Sequence, residues 1–181
     1  MELPNSTVVK VTSDQSQVLL PKTLPQDIQS ALNIAIGHEY AAHYFYRNAT
    51  NWCQGVAYKS AAAFFEKEAA AELEHAQKLQ KYLVDWNATP VIPPIKFSGD
   101  YAGLIDVVNK SYDMEYDLGD YYNKISAAMF NTHLPTFDFL TEFRIEQVQA
   151  IAEYSDLLNA AQLVDVSNKL DLLHYEERYF G

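Results

Sequence analysis

Apolar residues recur at alternating steps of four and three along four long stretches, the spacing of one buried stripe on an amphipathic helix. The first stripe reads Leu32, Ile36, Glu39, His43, Tyr46, Thr50, Cys53. The second reads Ala61, Phe65, Glu68, Glu72, His75, Leu79, Tyr82, and the third Val108, Tyr112, Glu115, Gly119, Tyr122, Ser126, Met129. The fourth runs Thr136, Leu140, Phe143, Gln147, Ala150, Tyr154, Leu157, Ala161. These stripes predict helices over residues 25–53, 57–85, 103–131 and 134–163, with a short amphipathic fifth over 167–179. Thr23 is the expected N-cap of the first, with Pro25 in its tolerated first turn, and Gln54-Gly55 is the expected stop. Residues 1–22 mix short apolar pairs with Ser, Thr, Asp and Gln. They predict an extended N-terminal extension in front of one helical domain over 23–181.

Connection lengths set the topology. Two or three residues join the first helix to the second and the third to the fourth, which forces antiparallel neighbours. Between the second and third lie Trp86 to Ala102, with Pro90, Pro93 and Pro94. A helix of about 28 residues is roughly 42 Å long. An extended stretch of about 17 residues spans on the order of 55 Å, so this segment can cross the whole bundle. The expected fold is all-α: a four-helix bundle with one long crossover and a short C-terminal helix.

The stripes then carry an anomaly. Glu39, Glu72 with His75, Glu115 and Gln147 all fall on core-facing positions near the middle of their helices. Equal antiparallel helices bring those midpoints to one level. An isolated buried carboxylate takes a proton or finds a cation, and several in one layer point to bound metal, here a pair of ions. Glu72-Leu73-Glu74-His75 puts a carboxylate and an imidazole one turn apart on one face. Carboxylates with imidazole suit Fe²⁺ or Mn²⁺, and the single Cys53 excludes an internal disulfide or a thiolate cluster.

Composition narrows the classes. The chain has 181 residues, 49% hydrophobic and 20% charged, enough for one domain with a sizeable core. A formal charge of −11 argues against nucleic-acid binding and favours cations near the surface. No stretch reaches transmembrane length, and residues 1–23 lack the apolar core of a signal peptide, so the expected location is cytoplasmic.

Di-iron carboxylate bundles draw one Glu from each of two helices and Glu-x-x-His from each of the other two. Three of these four elements are present; Glu146-Gln147-Val148-Gln149 has no His three residues on. With that asymmetry the sequence resembles the ferritins from Leu24 to the fifth helix. The likeness lies in Leu32-Asn33-Ile34-Ala35-Ile36-Gly37-His38-Glu39 with Tyr46 seven residues on, in Ala62-Ala63-Phe64 and Glu72 to Leu79, and in Pro135 to Leu140 with Ile145-Glu146-Gln147.

The resemblance implies a ferroxidase: an iron-oxidising, iron-storing subunit of a hollow homo-oligomeric shell, by likeness a 24-mer, with O₂ or H₂O₂ as oxidant. Glu39, Glu72 and His75 would hold one iron, and bridging Glu72, Glu115 and Gln147 the second, with Tyr46 hydrogen-bonded nearby and Glu146 as a further ligand candidate. The missing second Glu-x-x-His and the lack of a placed methionine separate the chain from haem-binding relatives, so no haem is expected. Ala71 and Ala150 stand where additional iron ligands occur in many ferritins, which weakens a third site. Glu74, Glu146 and Gln149 are left as candidates for onward iron transfer, and Asp138 and Glu142 for pores. Among the other seam residues, His43 reads as a hydrogen-bonded core histidine, Glu68 as a rim or entry residue, and Tyr112, Tyr122 and Tyr154 as packed rings with hydrogen-bonded hydroxyls. A stand-alone di-iron carboxylate oxidase would want the second Glu-x-x-His and a substrate pocket. An inactive structural subunit of a mixed shell would carry a degraded centre.

Overall fold

The computed structural model describes residues 19–95 and 99–181. Five helices follow one another: α1 (Gln26–Gly55), α2 (Lys59–Asp85), α3 (Leu104–Phe130), α4 (Leu134–Ala161) and α5 (Lys169–Tyr179). Each of the four long ones contains its predicted stripe, and most stripe residues are buried, with His43, Glu68, His75, Tyr82, Tyr112 and Ala150 half-buried. The expected extension lies largely outside the described residues; Leu19–Lys22 have no regular structure.

The helix ends correct two details. Pro25, not Thr23, is the N-cap of α1, and no side chain caps it. The Thr23 hydroxyl instead accepts from Gln29 Nε2 at 3.4 Å, while the same amide donates to Leu24 O at 2.6 Å. Proline lacks the N–H and has the right φ to begin a helix, so the chain turns helical only after it. At the other end α1 runs through Gly55, and the reversal comes at Ala57, whose φ is 69°. The Tyr58 N–H closes the turn on Cys53 O at 2.9 Å. Asn87, φ 58°, plays the same part after α2, as the residue type after glycine that best tolerates this region.

Pairing across the bundle fixes the topology. α1 runs antiparallel to α2, with His43 Nδ1 on Ala69 O and Arg47 on Glu66. α2 runs antiparallel to α4, with the hydroxyls of Tyr82 and Thr136 at 2.9 Å and Lys78 on Glu142 at 2.8 Å. α1 and α3 are also antiparallel: Tyr121 donates to Ala31 O, and Tyr101, just ahead of α3, donates to Phe45 O. α2 and α3 are therefore parallel, joined by the crossover. That segment lies against α1, where the Val91 N–H donates to Asn33 Oδ1 at 2.7 Å. Pro93 lies so close to Gly37 that a Cβ there would meet its Cγ at 3.0 Å.

α5 folds over the open end of the bundle. Tyr175 is buried and donates to Leu157 O at 2.9 Å, and the Phe180 ring meets Phe64 edge-on with centroids 5.3 Å apart. α2 has no side-chain cap of its own. Its third N–H, on Ala61, is satisfied by buried Glu176 Oε1 of α5 at 2.8 Å, a carboxylate at the positive end of a helix. Glu176→Ala would orphan that donor. We expect a loss of about 1–3 kcal/mol in equilibrium urea unfolding, with faster amide exchange in α5 and the first turn of α2.

The apolar interior forms two clusters. One surrounds Phe45, Tyr46, Phe65, Val108 and Tyr154. The other surrounds Leu32, Ile36, Leu79, Leu118 and Phe143. Glu39, Glu72, Glu115 and Gln147 lie at the level where one gives way to the other. Among the described residues no helix is long and apolar enough to cross a membrane.

Candidate metal centre

The four midpoints do meet. Glu39 on α1 is fully buried, Glu115 on α3 is 1% exposed, Glu72 on α2 is 5% and Gln147 on α4 is 6%. His75, one turn beyond Glu72, points its Nδ1 at both neighbouring carboxylates, 3.0 Å from Glu72 Oε2 and 3.5 Å from Glu39 Oε2. One ligand atom from each of Glu39, Glu72 and His75 can be chosen so that all lie within 4.8 Å of one another. Glu39 Oε2 is buried and receives no hydrogen bond. An orphaned carboxylate oxygen beside a second carboxylate and an imidazole is the donor set a divalent cation fits.

Glu115 occupies the other side of the layer. Gln147 Nε2 donates to its backbone O at 3.1 Å and also to its Oε2, while the Tyr46 hydroxyl donates to its Oε1. Tyr122 from α3 reaches across in the opposite sense and donates to Glu39 Oε1. Tyr46 follows Glu39 by seven residues and Tyr122 follows Glu115 by the same seven. Each tyrosine thus supports the carboxylate of the other helix. Tyr122 is the packed ring with a hydrogen-bonded hydroxyl that its seam position suggests, and the repeated offset is the signal in the sequence that points to its partner. Tyr46 also stacks on Tyr154, centroids 6.1 Å apart and planes within 5°.

Charge explains the protonation of this layer. Burial pushes Glu72 up to about 8, opposed by the bond from His75 and reinforced by the charge of Glu39. Burial, then the charge of Glu72, brings Glu115 to about 7. Burial alone would lower His75, but the adjacent Glu39 and Glu72 carboxylates outweigh that and lift it to about 11. Tyr46 and Tyr122 are pushed well above the ordinary phenol range, first by burial and then by neighbouring charge, so both remain donors. Burial and mutual repulsion thus favour the protonated forms of Glu72 and Glu115, and the two neighbouring carboxylates that of His75.

The remaining candidates scatter. Glu146 is partly exposed, with Oε2 3.1 Å from His75 Nε2 but not aligned as a hydrogen-bond acceptor. His43 is half-buried and spends Nδ1 on Ala69 O at 2.5 Å, the expected core histidine. Half-buried Glu68 rises to about 8, chiefly by burial and then by the charges of Glu153 and Glu72. Glu142 pairs with Lys78, and Glu74, Asp138 and Gln149 are exposed. None of these four joins the buried layer. Ala71 and Ala150 bring no donor.

The match to known proteins follows the same residues. The family model described as "Ferritin-like domain" matches residues 29–164, three quarters of the chain and every residue of the layer. The chain belongs to the ferritin family. At the level of that family its role is iron storage. Curated relatives of this ferritin include the bacterial non-heme ferritin of Staphylococcus aureus (strain MRSA252), 28% identical over 156 residues that cover 84% of this chain and 94% of the relative. That of Escherichia coli O157:H7 is 26% identical over 148 residues, covering 81% and 90%. Among solved structures, the open pore ferritin of Archaeoglobus fulgidus superposes with a TM-score of 0.81 at 17% identity, covering 87% of this chain and 96% of that one. A humanized archaeal ferritin gives 0.80 at 19%, covering 87% and 96%. These structural likenesses bear on the fold: an all-α bundle with a short C-terminal helix.

Proposed function

We propose that this ferritin chain oxidises Fe(II) to Fe(III) at a pair of adjacent cation positions and stores the ferric product inside a homo-oligomeric shell, by likeness a 24-mer. The observation that carries this reading is the convergence of Glu39, Glu72 and His75 around the orphaned Glu39 oxygen. Iron is the substrate. Glu39, Glu72 and His75 take the first Fe(II), and Glu72, Glu115 and the Gln147 amide take the second. Glu146, with Oε2 3.1 Å from His75 Nε2, is a further candidate ligand beside the first position. Two Fe(II) ions held side by side supply the two electrons that reduce O₂ to H₂O₂, or H₂O₂ to water.

The chain's own groups prepare each step. Entry of a cation displaces the protons from Glu72, Glu115 and His75, so binding releases protons. Hard carboxylate oxygens favour the ferric product over the ferrous substrate. The neutral Gln147 brings no charge to the second position, so that position holds its ion less tightly and lets the product leave. Burial excludes bulk water while the two tyrosine hydroxyls hold Glu115 and Glu39 in place.

The test is anaerobic Fe(II) binding, aerobic oxidation and particle mass on the full chain. Two Fe(II) per chain, turnover well beyond two, and a particle the size of a cage are expected. A small oligomer would remove the storage claim, and oxidation that stops at two iron ions per chain would remove the passage of iron through the centre. Tyr122→Phe takes the donor from Glu39, and Tyr46→Phe takes it from Glu115. Groups behind metal ligands are worth about 10–100-fold in affinity. We expect Tyr122→Phe to weaken chiefly the tighter of the two binding events and Tyr46→Phe the weaker, by roughly tenfold each, read by calorimetry with cobalt(II).

A further inference from the structure

Gly119 lies buried in the middle of α3, one turn beyond Glu115. Glycine inside a helix costs about 1 kcal/mol relative to alanine, so a reason for its presence is wanted. Its backbone supplies none, since Gly119 sits in ordinary helical conformation inside α3. The reason lies across the interface with α4. A Cβ on Gly119 would sit 3.0 Å from Gln147 Cγ and 3.2 Å from Ile151 Cδ1. Gln147 therefore rests on bare backbone. At that depth its Nε2 reaches both Glu115 O, at 3.1 Å, and Glu115 Oε2.

Those two bonds settle which way the amide faces. The nitrogen is committed to Glu115, and the oxygen is the atom left to serve a cation, since an amide nitrogen is no ligand for a hard ion. Beside this contact a cleft of about 150 Å³ opens between α3 and α4, lined by Tyr116, Gly119, Asp120, Asn123 and Gln147. A side chain forced off Gly119 has this cleft to move into, and Glu115 does not line it.

We propose that Gly119 is a positioning residue for the second cation position: by lacking a side chain it seats Gln147 with its nitrogen on Glu115 and its oxygen free for the ion. The inference rests on the paired-site reading above. It gives the second position a support in α3 behind its own ligands.

Gly119→Ala tests it in the full chain. In the crystal structure of the metal-free variant, Gln147 is displaced and its amide no longer bonds Glu115. Calorimetric titration with cobalt(II) leaves the first binding event within twofold of the parent and weakens the second by about tenfold, the scale of support behind a metal ligand. A second variant removes the dependence on the folding of the first. In Gln147→Ala the clashing Cγ is gone, and adding Gly119→Ala to it produces no further loss of second-site affinity, because both changes act through one side chain.

Gln147 still bonded to Glu115 with both affinities unchanged would overturn the proposal, leaving only the gain in helix stability that alanine brings. So would a further loss in the double variant. A parent protein that binds one cobalt(II) per chain would count against the paired site, and the position of Gln147 in the Gly119→Ala crystal would still decide the role of Gly119.

Discussion

Glu72→Gln is expected to abolish paired cation binding and to slow Fe(II) oxidation by on the order of 100-fold or more, while making the metal-free protein more stable. Glu72 is the carboxylate between the two proposed positions, so its loss removes an oxygen from both. Even groups behind a metal ligand are worth about 10–100-fold, and a shared ligand is worth more. The opposite sign for stability follows from burial. Glu72 is 5% exposed, and its carboxyl is pushed up to about 8 because ionising it there is unfavourable. Glutamine is nearly isosteric and carries no charge to desolvate. Thermal unfolding of the metal-free protein at pH 8 should shift upward by a few degrees, at about 2–4 °C per kcal/mol for a domain of this size. A variant that loses stability, or that oxidises Fe(II) at the parent rate, would remove Glu72 from the centre.

The second large effect is on pH. Glu72 and Glu115 hold their protons to about 8 and about 7 in the folded chain, against about 4.3 when unfolded. Between those limits the folded state binds more protons than the unfolded one, so stability falls as pH rises. His75 adds the same sign: raised to about 11, it contributes stability fully present below about 6.5 and lost as pH climbs toward its folded value. All three groups make the metal-free chain more stable at pH 6 than at pH 8. A net excess of one to two protons, at about 1.4 kcal/mol per proton per pH unit, amounts to roughly 3–6 kcal/mol over that interval. Denaturant unfolding at the two pH values measures it. Saturation with a divalent cation should flatten or reverse the slope, because the cation then competes with protons for the same atoms. A metal-free chain whose stability rises from pH 6 to pH 8 would show that these groups are not held protonated.

Much of this is legible in the sequence, for reasons that particular residues make plain. Glu39, Glu72, Glu115 and Gln147 stand out because they interrupt a period that otherwise predicts apolar side chains. Short connections then put their helices at one level. Helix ends are less legible. Thr23 has the chemistry of an N-cap, but Pro25 lies two residues on and delays the helix, and the reversal after α1 falls on Ala57 despite the nearby Gly55. Glu176 as the cap of α2 is invisible without knowing where α5 docks. Seam position gives Tyr122 as a packed ring with a bonded hydroxyl but not its partner Glu39, although its offset from Glu115 repeats that of Tyr46 from Glu39. Gly119 lies in full view on its seam; a missing side chain has no meaning until the neighbour that fills its space is known.

The way the bundle is assembled has a consequence for how the chain reaches its native state. α1 packs along α2 and α3 along α4, each pair through a short turn, whereas contact between the two hairpins is much sparser. Each hairpin can form from local contacts. The buried layer comes into being only when they dock, α1 and α2 bringing Glu39, Glu72 and His75 against the Glu115 and Gln147 of α3 and α4. Docking therefore brings like charges together, and it is the step that acid or a divalent cation should accelerate. The crossover makes that encounter intramolecular. The layer proposed to hold iron is thus also expected to make hairpin docking pH-dependent, slowest where Glu72 and Glu115 are ionised.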